Sequence, residues 1–277
     1  MKTAFLSGTL LALVLFASAP AMAQLAPPNE AGVTLSHIHI IVNDMDAQKK
    51  FWTTAMGGTL IDHGPFTMIQ LPEVFLVLEK GQAIGPSEGT VLNHFGFAYK
   101  DLPAQLARWK EMNVRAETNA NGHQGYVYGA DGMRFEYAYD EELSVPFRMD
   151  HLHMNLDIPA AHVWYEKTFG APAGQRKRNA GPGTVECNFF PGMTVSMNPV
   201  GGRGAATPLL PTKGHTLDHF GFEVKDLNAF VKKLQADGVK FDVLPQTLPG
   251  TKIRSAFFTD PFGNYIELTE NFLSAAR

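Results

Sequence analysis

His94-Phe95-Gly96-Phe97, followed by Lys100-Asp101-Leu102, returns 125 residues later as His219-Phe220-Gly221-Phe222 followed by Lys225-Asp226-Leu227. A second echo links Ser36-His37-Ile38-His39 to Asp150-His151-Leu152-His153, 114 residues on, and Phe51-Trp52 and Gly57 have counterparts in Trp164-Tyr165 and Gly170. Two such offsets make the chain a duplicated one, with halves meeting near Leu143 to Arg148. Each half divides again. His37, His94, His151 and His219 each stand near the start of a strand, and His37-Ile38-His39-Ile40-Ile41-Val42 shows the period-two alternation of one. Asp44, Asp101, Asp157 and Asp226 follow at helix starts, where a carboxylate accepts from unpaired backbone N–H groups. Phe230 and Leu234, with nearby Leu227, give the fourth helix its apolar face, and Gly238 ends it. Asp131-Gly132 and Phe262-Gly263-Asn264 are turns into final strands. The grammar predicts four strand-helix-strand-strand-strand units at 33–83, 90–140, 148–199 and 214–272, with a Gly- and Pro-rich loop at 201–211.

Composition bounds the rest. The chain has 277 residues, 45% hydrophobic and 18% charged, enough for about two globular domains. One cysteine, Cys187, excludes a disulfide framework and a thiolate zinc cluster. A formal net charge of −4 argues against a broad electrostatic grip on nucleic acid. Lys2, the apolar run from Leu10 to Phe16 and Ala21-Met22-Ala23 follow the order of a secretory signal peptide over residues 1–23. Broken by Ser7, Gly8, Thr9 and Pro20, the stretch is short for a membrane span of about 20 residues. The mature chain is expected to begin near Gln24, with 24–32 an extended leader, and to be periplasmic or secreted with no membrane attachment after cleavage.

These residues resemble the vicinal oxygen chelate superfamily, which includes glyoxalase I, the extradiol ring-cleaving dioxygenases and the bleomycin and fosfomycin resistance proteins. The resemblance spans nearly all of the chain after residue 23. It is carried by His219 seven residues before Asp226, by Asp260-Pro261-Phe262-Gly263-Asn264-Tyr265-Ile266-Glu267 and by Asp131-Gly132-Met133-Arg134-Phe135-Glu136. It implies an α+β fold in which four βαβββ units pair into two open, incomplete β-barrels, one domain at 33–143 and another at 148–272, each cradling a divalent metal. Carried over, the ligands are His37, His94 and Glu136 in the first half and His151, His219 and Glu267 in the second. His151 lies six rather than seven residues before its Asp. Either a turn is one residue shorter or His153 is the ligand.

Two imidazoles and one carboxylate leave part of a coordination sphere open, as a catalytic ion requires. A fourth ligand of glyoxalase type is not evident: Val77 falls opposite Glu267 when the strands are aligned. This points to Fe2+ or Mn2+ ahead of Zn2+ or Ni2+. It also favours a ring-cleaving or related dioxygenase acting on a small substrate with vicinal oxygens over a metal-dependent isomerase or lyase. A binding protein of the resistance type stays open. His123, Tyr126 and Tyr128, before Glu136, are the candidate acid–base groups, with His63 in the first unit; Phe257 and Phe258 occupy the comparable stretch before Glu267. His39 and His153 read as contacts beside the ligands. The aromatic pairs Phe51-Trp52 and Trp164-Tyr165 read as core, Cys187 as an apolar filler, and Arg176-Lys177-Arg178 as a solvated loop rather than an anion site.

Overall fold

The computed structural model describes residues 25–63, 66–178, 182–202 and 208–275. The expected signal peptide, residues 1–23, lies outside the described residues. The first unit runs β1 (Val33–Val42), α1 (Met45–Lys50, continued by a π-turn through Ala55), β2 (Thr59–His63), β3 (Phe66–Leu71) and β4 (Val74–Lys80). The second holds β5 (Leu92–Tyr99), α2 (Leu102–Glu111), β6 (Ala116–Thr118), β7 (Gln124–Tyr128) and β8 (Arg134–Tyr139). In the third are β9 (Phe147–Leu156), α3 (Ile158–Phe169), β10 (Ala173–Lys177), β11 (Thr184–Phe190) and β12 (Met193–Pro199). β13 (Leu217–Val224), α4 (Leu227–Ala236), β14 (Phe241–Thr247), β15 (Arg254–Thr259) and β16 (Tyr265–Glu270) complete the fourth.

An Asp starts every helix by accepting from the backbone N–H three residues on: Asp44 from Ala47, Asp101 from Ala104, Asp157 from Ala160 and Asp226 from Ala229. Within each unit the last strand lies parallel beside the first, and the last three form an antiparallel meander. The protein is α+β, with two open sheets of eight strands.

The pairing of units departs from the expected one. The strand orders are β14-β15-β16-β13-β1-β4-β3-β2 and β10-β11-β12-β9-β5-β8-β7-β6. The first unit therefore shares a sheet with the fourth, and the second with the third; we call these the outer-unit and inner-unit barrels. The reason lies in the connections. Residues 140–146 are only long enough to turn the chain back, so β9 runs antiparallel along β5, with Phe147 opposite Tyr99. The stretch near 143–148 thus lies inside a barrel, as the end of a turn and the start of β9, rather than at a boundary between barrels.

The two units of each half still pack against each other, now across the two barrels. Trp52, wholly buried, stacks on Phe135 and Phe95 of the second unit, and Trp109 of α2 donates to the carbonyl of Ala55. In the second half Phe169 lies 4.8 Å from Phe222, and the Tyr165 hydroxyl donates to Asp260 at 2.9 Å. Asp260 also accepts from the backbone N–H groups of Phe262 and Asn264. The Asp-Pro-Phe-Gly-Asn sequence is therefore a turn pinned to α3 through its buried ends, Asp260 and Asn264, and it links a unit of each barrel. Cys187 is buried, and the leader residue Leu25 is buried beside Phe75 and Phe272. Among the described residues no helix is long and apolar enough to cross a membrane.

Candidate metal centres

The two barrels meet the same requirement in the same way. Antiparallel pairing sets His37 opposite Gly221 and His39 opposite His219 in the outer-unit barrel. In the inner-unit barrel it sets His151 opposite Gly96 and His153 opposite His94. The glycines are needed because the facing imidazole lies over them: a Cβ on Gly221 would stand 2.1 Å from Cε1 of His37, and one on Gly96 would stand 2.5 Å from Cε1 of His151. The equivalence settles the register of the third unit. His151 occupies the place of His37, and the turn into α3 is one residue shorter.

The six expected ligands are all buried, none more than 5% exposed, but they gather in a different combination. His37, His219 and Glu267 converge in one barrel and His94, His151 and Glu136 in the other. His37 does not meet His94 or Glu136, nor does His151 meet His219 or Glu267, because those partners belong to the opposite sheet. Oε2 of Glu267 lies 2.9 Å from Nε2 of His37 and 3.3 Å from Nε2 of His219. Glu136 lies 3.1 Å from Nε2 of His94 and 3.8 Å from Nε2 of His151. His39 and His153 add nitrogens close by: donor atoms of His37, His39 and His219 lie within 4.8 Å of one another, as do those of His94, Glu136, His151 and His153.

Each ligand histidine is oriented by the residue before it. Nδ1 of His37 meets Ser36 Oγ at 3.0 Å, Nδ1 of His94 meets Asn93 Oδ1 at 2.8 Å, Nδ1 of His151 meets Asp150 at 2.7 Å, and Nδ1 of His219 meets Asp218 at 2.5 Å. The Asn and Asp oxygens accept, so those Nδ1 atoms carry the hydrogen and Nε2 presents its lone pair inward. The Ser36 hydroxyl reaches further, 3.4 Å from Oγ1 of Thr269, which donates to Glu223.

The donor set fits a cation. Nε2 of His37, His151 and His153 is buried without a hydrogen-bond partner among the described residues. The 2.9 Å approach of His37 to Glu267 lacks hydrogen-bond alignment, although it falls within ion-pair distance. Donors about 2.1 Å from a common ion stand about 3.0 Å apart at right angles and about 3.4 Å apart at a tetrahedral angle, which matches three of the four separations. Burial lowers His37 and His94, keeping them neutral. Burial also works against ionisation of Glu136, but His151, His94 and His153 outweigh it and hold its carboxyl down at about 2. Glu267 is likewise held well below the carboxylate range by His219 and His37 despite its burial. For His219 burial is outweighed by Asp218 and Glu267, which raise it to about 9, so a proton there competes with an ion.

The candidate acid–base groups separate. Tyr126 pairs with Glu136 across β7 and β8, its ring edge-on to His94 at 5.3 Å and beneath the Arg134 guanidinium at 4.3 Å. Burial, aided by Glu136, raises its phenol. Tyr128 is two pairs further along, opposite Arg134; its hydroxyl donates to Glu117 and its ring lies under Arg115. His123 is exposed beside Tyr139 and does not reach the cluster. Gln124, the next residue, does: it donates to Glu136. The side chain of His63 lies outside the described residues. His215 packs beside Gly85, away from Glu267's cavity.

One further correction concerns the lining. Arg176-Lys177-Arg178 is not a loop: Arg176 and Lys177 end β10, and Arg176 and Arg178 both line the inner-unit cavity. At the place of a fourth ligand, Val77 lies opposite His39 and Ser196 opposite His153.

The chain belongs to the Glyoxalase/Bleomycin resistance protein/Dioxygenase superfamily, whose family model matches residues 34–137 and 148–268. Its fold is that of glyoxalase I from Zea mays, with a TM-score of 0.67 and 18% identity over 86% of this chain and 92% of that one. A candidate dioxygenase from Bacillus subtilis subsp. subtilis strain 168 superposes with a TM-score of 0.61 and 13% identity, over 92% of this chain and 88% of that one. No curated protein matches the chain by sequence.

Proposed function

We propose that this protein is a divalent-metal-dependent enzyme acting on a small substrate that chelates the ion through two vicinal oxygens. We place its chemistry in the inner-unit barrel and assign it to the ring-cleaving or related dioxygenases. The observation that carries this reading is the pairing of Tyr126 with Glu136 beside His94 and His151. The counterpart of Tyr126 in the outer-unit barrel is Phe257, which pairs with Glu267 and has no proton to move.

His94, His151 and Glu136 would hold the ion and Asn93 and Asp150 fix the imidazoles; His153 and Gln124 stand beside them. An ion such as Fe2+ or Mn2+ supplies, when bound, Lewis acidity and one-electron chemistry that side chains lack. With Ser196 rather than a carboxylate at the fourth place, one face stays open to substrate. Tyr126 is neutral at physiological pH, because its phenol is raised, and can donate a hydrogen bond to a substrate oxygen or exchange a proton with it. Proton transfer by a positioned group is typically worth a factor of about 10² to 10⁴.

The leader sequence supports export, with the mature chain beginning near Gln24. Export argues against a glutathione-dependent reaction, since glutathione belongs mainly to the reducing cytosol. The test is oxygen uptake by Fe2+- or Mn2+-loaded mature protein with a panel of catechols, comparing wild type, Glu136→Gln and Glu267→Gln. The proposal expects uptake lost in Glu136→Gln and kept in Glu267→Gln. Metal-loaded protein that consumes no oxygen with any catechol, or loss confined to Glu267→Gln, contradicts it.

A further inference from the structure

The two centres share ligands but not surroundings. The outer-unit cavity, about 130 Å³, is walled by Phe66, Val77, Ile253, Phe257 and Phe272. The carboxylates nearest its histidines are Glu267, Asp218 and Glu79, the last paired with His39 at 2.8 Å. No guanidinium or ammonium group is among its lining residues. The inner-unit cavity, about 60 Å³, is lined by Gln124, His153, Arg176 and Arg178 around Glu136 and His151. Here Asp150 is matched by Arg176 at 3.1 Å. Three acids answered only by histidines stand around one centre, and two acids with two guanidiniums around the other.

Substitutions at corresponding positions produce this difference. Val77 in one barrel answers to Ser196 in the other, Phe257 to Tyr126 and Phe66 to Val185, as the registers show. The two arginines are also held differently. Arg176 is committed to Asp150 and to Ser196 Oγ, at 3.3 Å. Arg178 is exposed, and its Nε donates to the Thr184 carbonyl at 3.0 Å, which fixes the guanidinium at the cavity mouth. A cavity of about 60 Å³ holds roughly two waters. Only the chelating head of a ligand enters it, and the rest lies at the mouth.

We infer that the inner-unit centre takes an anionic substrate, one carrying a carboxylate next to its two chelating oxygens, with Arg178 as the carboxylate contact. The outer-unit centre is restricted to neutral, apolar ligands. A guanidinium binds a carboxylate with two parallel, charge-assisted hydrogen bonds. Three carboxylates with no guanidinium lining the cavity disfavour the same ligand. This inference rests on the metal-centre reading above and names the substrate class for it.

The probe is oxalate, an anion with vicinal oxygens, added to Mn2+-loaded protein and followed by water-proton relaxation. Glu267→Ala isolates the inner-unit centre and Glu136→Ala the outer one. Oxalate should bind the Glu267→Ala protein at least tenfold more tightly than the Glu136→Ala protein. Adding Arg178→Glu to Glu267→Ala should weaken oxalate at least tenfold with Mn2+ affinity unchanged, while Arg178→Lys retains most of the binding. Equal oxalate affinity at both centres, or no effect of Arg178→Glu, overturns the inference. If neither centre takes Mn2+, the metal reading fails separately, and the charge assignment is judged on metal-free protein. There oxalate should raise the melting temperature of wild type and not of Arg178→Glu; an equal rise in both overturns it.

Discussion

The imidazole of His37 lies directly over the α-carbon of Gly221 on the adjacent strand, leaving no room for a side chain there. The same relationship holds between His151 and Gly96. The recurring His-Phe-Gly-Phe sequence is thereby explained: its His is one ligand of a centre, and its Gly makes room for the ligand from the partner unit. Gly221→Ala should displace His37 and remove the outer-unit ion alone, and Gly96→Ala should remove the inner-unit ion alone. Each should cost about 1–3 kcal/mol in stability, as overpacked core positions do. Metal stoichiometry and denaturant melts of the two variants check this; an alanine accepted without loss of metal contradicts the steric argument.

The residue preceding each ligand histidine gives a second prediction. Asp150→Ala and Asp218→Ala leave an Nδ1–H without its acceptor and free the ring to turn. Metal affinity at the matching centre should fall about 10- to 100-fold, the usual effect of losing such a partner. Competition titrations with a chelator measure it. An unchanged affinity would show that strand packing alone orients the rings.

Much of this was legible in the sequence. Four units, the helix caps and six buried His and Glu positions follow from period, spacing and resemblance. The pairing of units was not legible, because any odd unit joined to any even unit supplies two histidines and one glutamate. Only the short turn at residues 140–146 breaks that tie, and it does so through geometry rather than residue type. His123 stood in for Gln124 because a slip of one residue along a strand exchanges its two faces. Arg176 and Arg178 were assigned to a solvated loop because an edge strand rich in polar residues reads like one.

Tyr126 and Phe257 make the asymmetry of the barrels testable. Tyr126→Phe should reduce turnover by about 10² to 10⁴ while leaving the metal in place. Phe257→Tyr puts a phenol beside the other centre and should not rescue it, since its surrounding carboxylates remain. Steady-state rates with metal analysis decide the matter. Full activity in Tyr126→Phe removes the tyrosine from the mechanism.

Glu223 gives a pH signature in the outer-unit barrel. Burial raises its carboxyl from 4.5 to about 7, against hydrogen bonds from Thr269 Oγ1 and the Phe272 backbone N–H that favour the charged form. The folded state therefore holds this proton more tightly than the unfolded state. The associated stability is complete below pH 4.5 and is lost as pH rises through 7. Glu223→Gln should flatten that slope, making the variant less sensitive by about 1–2 kcal/mol between pH 5 and 8 once solvent screening is allowed for. Urea denaturation across the range measures it, and parallel slopes for the two proteins contradict it.

The central claim is that each ion is held jointly by both halves of the chain, and metal stoichiometry in two double variants tests it most directly. His37→Ala with Glu267→Ala damages one centre twice and should leave one ion per chain, at His94, His151 and Glu136. His37→Ala with Glu136→Ala damages both centres and should leave none. The reverse outcome, one ion in the second protein and none in the first, would place His37 with Glu136 and contradict the exchange of units between barrels.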